Sequence, residues 1–198
     1  LTAVSFTFAL IIAIAVALVQ FARLPVLRHL ARFYIWVIRG TPLLVQLFVV
    51  FYGLPHMGVL IDAVPAAILV FSINEGAYCA ETIRAALESV PPGQMEAGQC
   101  VGMSYLQVIR RIVLPQAMRT AFPTLANSLI AMVKDTSLAA NITVTEMFMV
   151  TQRIVAWSYE PLALYIEVGL IYLLFCTVLT KVQHFGEKKL QTYGYQGG

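Results

Sequence analysis

The sequence predicts an all-α, polytopic membrane protein with about five transmembrane helices, on three observations. Hydrophobic residues make up 60% of the 198 and charged residues 12%, against roughly 45–50% and about 25% in an average soluble domain. Mean hydropathy is +0.80. Apolar runs near the ~20 residues that carry a helix across a bilayer recur along the chain, and basic residues gather in alternate connections between them.

Leu1 to Phe21 is the first span. The chain opens inside it without a Met, so an N-terminal piece is expected to have been removed. The run lacks the basic segment and A-x-A site of a secretory signal. A short basic loop follows, with Arg23, Arg28, Arg32 and Arg39. Leu43 to Leu54 is apolar but short, and spans only by continuing from the amphipathic piece before it or towards Asp62. Thr41-Pro42 suits a helix start, Thr as N-cap and Pro at the first position. Ala63 to about Ala86 is the third span. Thr120 to Val133 starts a fourth that meets polar residues before it is long enough to cross, and Leu162 to about Val182 is the last. A single domain over residues 1–190 is expected, without internal repeats, followed by a loose tail from Gln191 to Gly198.

Charge orients the spans. With five crossings, all of the 13 Lys and Arg except Lys134 and Arg153 fall on the side of the 22–40 connection, the 84–119 segment and the C-terminus. An excess of Lys and Arg marks the cytoplasmic side, so the N-terminus is expected outside and the C-terminus inside. Trp36, Trp157 and Tyr159 suit the interfaces.

Several chemistries find no support. Cys79, Cys100 and Cys176 are far apart and read as small apolar fillers. His29, His56 and His184 lack ligand-spaced neighbours, so no metal is expected. There is no Ser/His/Asp set and no H-E-x-x-H, hence no catalytic residues, and no nucleic-acid partner. No G-x-x-x-x-G-K-[ST] occurs, so any ATP must be held by another chain.

The expected cytoplasmic segment, about 89–115, is punctuated for rigidity. Pro91-Pro92-Gly93 stops the preceding helix, and a short helix runs from about Gln94 to Val101. Gly102 supplies the left-handed residue that ends it, and Ser104 to Gln107 has capping-box spacing. A second helix starts there and Pro115 interrupts it. Met95, Cys100, Val101, Met103 and Tyr105 are offered outward. An ordinary loop remains one reading; exposed apolar side chains on a capped helix favour docking into a partner's groove.

Glu96-Ala97-Gly98, then Gly102, then Ile112-Val113-Leu114-Pro115 resembles the EAA motif of ABC-importer permease subunits, with Gly98 where the motif has Ala. RGTPLLVQLFVVFYGLP, NEGAYCAETIRAALESVPPGQ and VKDTSLAA are similar to the signatures of the polar amino-acid permeases, closest in appearance to the cystine type. The resemblance implies a type I importer permease fold in the bacterial cytoplasmic membrane. It implies a coupling helix through Glu96, Ala97, Gly98, Gly102, Leu114 and Pro115, an ATPase dimer that binds ATP-Mg, an extracytoplasmic amino-acid-binding protein and a second permease subunit.

Polar residues interrupt the apolar runs, where a charge costs about 2.5–3.5 kcal/mol on insertion scales. Asn74, Tyr78 and Glu81 share a helix face, Glu75 lies beside it, and Lys134-Asp135-Thr136-Ser137 breaks the fourth span. A midplane break is a transporter device for holding small ions or zwitterions. Lys134, Asn74 and Ser137 suit a carboxylate; Asp135 and Glu75 suit an ammonium. The resemblance carries Asn74, Tyr78, Glu81, Lys134, Asp135 and Ser137 into that site, whereas Glu75 departs from the family's small residue. The structural alternatives are pairing of Lys134 with Asp135, Glu75 or Glu81, and of Glu81 with Arg84. Gln46 either lines the interior or hydrogen-bonds between helices, Arg39-Gly40-Thr41-Pro42 reads foremost as a helix start, and Glu167 suits an interface pair or a snorkelling position. An ion-coupled secondary transporter using Glu75 or Asp135 is the competing function. Five spans without a repeat and a docking helix without a partner weigh against it.

Overall fold

A computed structural model describes residues 1–21 and 25–192, and no strand occurs among them. Arg23 of the basic connection and the tail from Tyr193 onward lie outside the described residues.

α1 (Thr2–Phe21) and α4 (Ala63–Glu88) form the spine. α1 buries Ser5, Ala9, Ala13 and Ala17, one residue per turn. α4 answers with Gly76, Ala77 and Ala80, and a Cβ on Gly76 would meet Ile12 Cγ2 at 2.9 Å. Small residues let the two backbones approach, and dispersion between them replaces the hydrophobic drive that lipid does not supply. The larger side chains of α1, among them Phe8, Ile11, Ile14 and Leu18, face outward.

The 22–40 connection is largely helix rather than loop. Pro25 opens α2 (Pro25–Arg39), which has an apolar side at Val26, Leu27, Leu30 and Phe33 and a basic side at Arg28 and Arg32. Its charge reads as a connection, while its 3.6-residue period makes it helical. α3 (Leu43–Phe48) follows and continues through a π-helical turn, Val49–Gly53, and a 3-10 turn, Leu54–Met57. The two halves meet at 102°. Thr41 is not the cap: Pro42 holds that position, and the Thr41 hydroxyl donates to Val37 O at 2.9 Å.

α5 (Pro92–Cys100) starts two residues before the expected helix. Gly102 takes φ +79° at the elbow, and Ser104 caps α6 (Tyr105–Val108) in a complete box with Gln107. Pro115 does not interrupt the helix that starts at this cap. A π-helical turn, Ile109–Val113, leads directly into α7 (Leu114–Asp135), so the helical path runs on from the elbow. A π turn already shifts the hydrogen-bond register, so a missing N–H just beyond it costs little. α7 is therefore longer than the expected fourth span. The 3-10 helix Thr136–Ile142 continues from it to Thr143, at φ 65°.

α8 (Met147–Ser158) was not expected. Glu146 caps it, accepting from the N–H of Phe148 and Met149, and takes a hydrogen bond from Tyr172 at 3.1 Å. α9 (Pro161–Thr192) runs ten residues past its expected end and takes Gln191 and Thr192 out of the tail. Its Gly186 lies against the Phe122 ring of α7. α1, α4 and α9 are long and apolar enough to cross a membrane, and the bent α2–α3 pair qualifies as one broken span.

Candidate translocation site

The break between α2 and α3 leaves carbonyls without helical partners, and Gln46 closes over them. Its Nε2 lies 2.8 Å from Ile38 O, 2.8 Å from Thr41 Oγ1 and 3.2 Å from Thr41 O. Its Oε1 accepts from Asn74 Nδ2 at 3.0 Å. Tyr34, one turn before Ile38 on α2, donates to Ile73 O at 2.6 Å. Gln46 thus makes the inter-helix hydrogen bond, and the break is stitched to the middle of α4.

This fixes Arg39. Its guanidinium lies over the Tyr78 ring, 5.0 Å from the centroid, a cation–π geometry. A rise of about 1.5 Å per residue puts Tyr78 roughly 15 Å from the Glu88 end of α4, so Arg39 stands, exposed, part-way along α4 rather than in a loop at its end.

Arg39, Thr41, Asn74, Glu75, Tyr78, Ser128 and Asp135 line a cavity of about 600 Å³, open on one flank. The carboxylate Oε1 of Glu75 lies 3.5 Å from Cys79 Sγ, and the Ser128 side chain faces both groups. Asp135 is close enough to Glu75 for their charges to interact. The lining of one cavity therefore carries a guanidinium and two carboxyl groups.

Of the residues expected here, Asn74, Glu75, Tyr78 and Asp135 meet in the cavity, while Glu81, Lys134 and Ser137 do not line it. Glu81 binds Arg84 and lines a neighbouring chamber of about 430 Å³ that also holds Arg39 and Tyr78. Lys134 is exposed and makes no ion pair within 4 Å among the described residues, though its charge is felt by Asp135. Ser137 donates to Lys134 O at 2.7 Å. Arg39, Thr41 and Ser128 are the cavity residues missed. The RGTP stretch held the signal for two of them; Ser128 had none, because only packing against Glu75 distinguishes it from other serines.

The coupling segment shows two corrections. Met95 and Met103 pack inward on Ala86, Leu87, Val108 and Val113, leaving Cys100, Val101, Tyr105 and Leu106 outward. Cys100 is thus exposed rather than a filler. Gly98 is buried, and a Cβ there would stand 2.8 Å from Val108 Cγ2 and 3.0 Å from Ile112 Cδ1. Glu167 is exposed on α9. No three His, Cys, Asp or Glu among the described residues are grouped to hold a metal.

Known proteins share both sequence and fold. The profile of the family described as binding-protein-dependent transport system inner membrane component matches residues 6–192. The chain is 45% identical over 194 residues to the L-cystine transport system permease protein TcyB of Bacillus subtilis, covering 98% of this chain and 83% of that one. It is 43% identical over 186 residues to the probable amino-acid ABC transporter permease protein PatM of Vibrio harveyi, covering 92% and 83%. A solved amino acid ABC transporter with histidines superposes at TM-score 0.90 with 32% identity, over 95% of this chain and 88% of that one. The MetNI methionine ABC transporter shares the fold at TM-score 0.80 and 17% identity, over 96% and 90%. This chain belongs to the family of binding-protein-dependent transport system inner membrane components.

Proposed function

We propose that this chain is the membrane subunit of an ATP-driven importer and passes polar amino acids through the cavity at the α2–α3 break. The observation that carries the reading is that Arg39, Glu75 and Asp135 line one space of about 600 Å³. A zwitterion needs both charges: a guanidinium for its carboxylate and carboxylates for its ammonium. Tyr78, Asn74 and Ser128 add polar contacts between the poles, and Glu81 continues the path towards the Glu88 end. Lys134 and Ser137 border this site rather than form its wall.

The fold supports the partners. A second permease subunit closes the open flank, and a separate ATPase dimer, binding ATP-Mg, receives α5 and the elbow. An extracytoplasmic binding protein delivers substrate at the other end. The Arg and Lys pattern supports a cytoplasmic Glu88 end and C-terminus. ATP-driven closure of the ATPase pair brings the coupling helices together and turns the cavity outward; hydrolysis resets it.

The test is uptake of radiolabelled amino acids into proteoliposomes holding the complex. Uptake is expected to need ATP, the ATPase and the binding protein. Glu75→Gln and Asp135→Asn should each raise KM about 10-fold or more, since a hydrogen bond to a charged group contributes roughly 1.5–3 kcal/mol. Uptake without the ATPase would instead establish the ion-coupled transporter, which nothing in the comparisons supports.

A further inference from the structure

We propose that the cleft between α1, α2 and α4 at the Glu88 end binds the phosphate of an anionic phospholipid. The cleft encloses about 310 Å³ and holds Arg28, Arg32 and Arg84. Glu81 and Glu88, the two acids that face it, both bind Arg84. Arg28 and Arg32 have no carboxylate within 4 Å among the described residues, so one positive charge is left in excess. Gln20 lines the same cleft at 7% exposure, and its amide nitrogen is buried without a hydrogen-bond partner among the described residues. Unopposed guanidinium groups beside an unmatched N–H suit an oxyanion with several acceptor oxygens.

α2 indicates where the anion comes from. Val26, Leu30, Phe33 and Trp36 are all more than half exposed, and the Phe33 and Trp36 rings lie 6.0 Å apart. A helix with a basic side and an exposed apolar, aromatic side lies at a lipid boundary. Acyl chains run along that side while the phosphodiester turns in to Arg28, Arg32 and Gln20. The monoanion matches the one charge in excess. The site does not depend on which substrate the transporter carries.

Native mass spectrometry of the delipidated complex, with phosphatidylglycerol, phosphatidylcholine or inorganic phosphate added, tests this. Phosphatidylglycerol is expected to bind in preference to phosphatidylcholine. Arg28→Gln with Arg32→Gln should weaken it roughly fivefold per arginine removed, Gln20→Leu should weaken it several-fold, and Arg28→Lys with Arg32→Lys should retain most of it. The lysine pair separates loss of charge from loss of fold, which gel filtration also checks. Equal binding of the two lipids, or no effect of the glutamine pair, overturns the proposal. Binding of inorganic phosphate as tightly as the lipid, with the same arginine dependence, overturns the lipid as the source.

Discussion

Gly98 faces the π turn, where an added Cβ would crowd Val108, a β-branched and fully buried side chain with little rotameric freedom. Overpacking costs about 1–3 kcal/mol, while alanine gains about 1 kcal/mol of helix propensity over glycine. Gly98→Ala alone should therefore lower the Tm of the complex and weaken its substrate-stimulated ATPase. Gly98→Ala with Val108→Ala should recover much of both, a non-additivity that a double-mutant cycle reads directly. The departure from the family motif, Gly98 in place of Ala, is in the structure a fit between two positions ten residues apart. Gln46→Leu should cost about 2–3 kcal/mol by leaving the carbonyls of the break and the Asn74 amide unmatched. Thermal unfolding checks that, and uptake should show a raised KM because Arg39 loses its anchorage. Asn74, Glu75, Tyr78 and Asp135 were legible because charge and amide groups in apolar runs are conspicuous. Arg39 read foremost as part of a helix start, because only the 102° bend brings it over Tyr78.

At the scale of elements, the α1–α4 seam is the most demanding contact. Ala13 has no exposed surface, while its neighbour Ile14 is half exposed. Ala13→Leu should drive the two helices apart and abolish accumulation of folded protein, whereas Ile14→Leu should leave the Tm within about 1 °C; membrane expression and a thermal melt of the pair decide it. Sequence reading found this element by hydropathy but could not see the seam, since one small residue per turn is inconspicuous among so many apolar ones. The elbow was read nearly residue by residue, because Gly102, Ser104 and Gln107 act within a few residues of each other and need no tertiary context. α2 and α8 were missed for the opposite reasons. The charges of α2 resemble a connection, and α8 is short and starts at an unusual cap, Glu146, whose carboxylate also accepts from the distant Tyr172.

For the whole molecule, the elbow, α5 and the π turn pack as one unit on the Glu88 end of α4 and continue into α7, which reaches the cavity at Asp135. A displacement at the docking surface is thereby led to the site along a single helix. Glu96→Lys and Gly102→Val, the latter forcing a β-branched residue to φ +79°, should each abolish transport and make ATP hydrolysis insensitive to loaded binding protein. Retained transport in both variants would end the coupling role of this segment. α9 adds a constraint of a different kind. Only 6% of its apolar window is buried among the described residues, which leaves most of its surface for lipid or a partner subunit. Its 32 residues extend about 48 Å, well beyond a hydrocarbon layer of roughly 30 Å. Gly186, near its far end, holds the Phe122 ring of α7. A helix longer than the hydrocarbon it crosses fits by tilting, and with Gly186 against the Phe122 ring the tilt of α9 is a depth gauge in contact with α7.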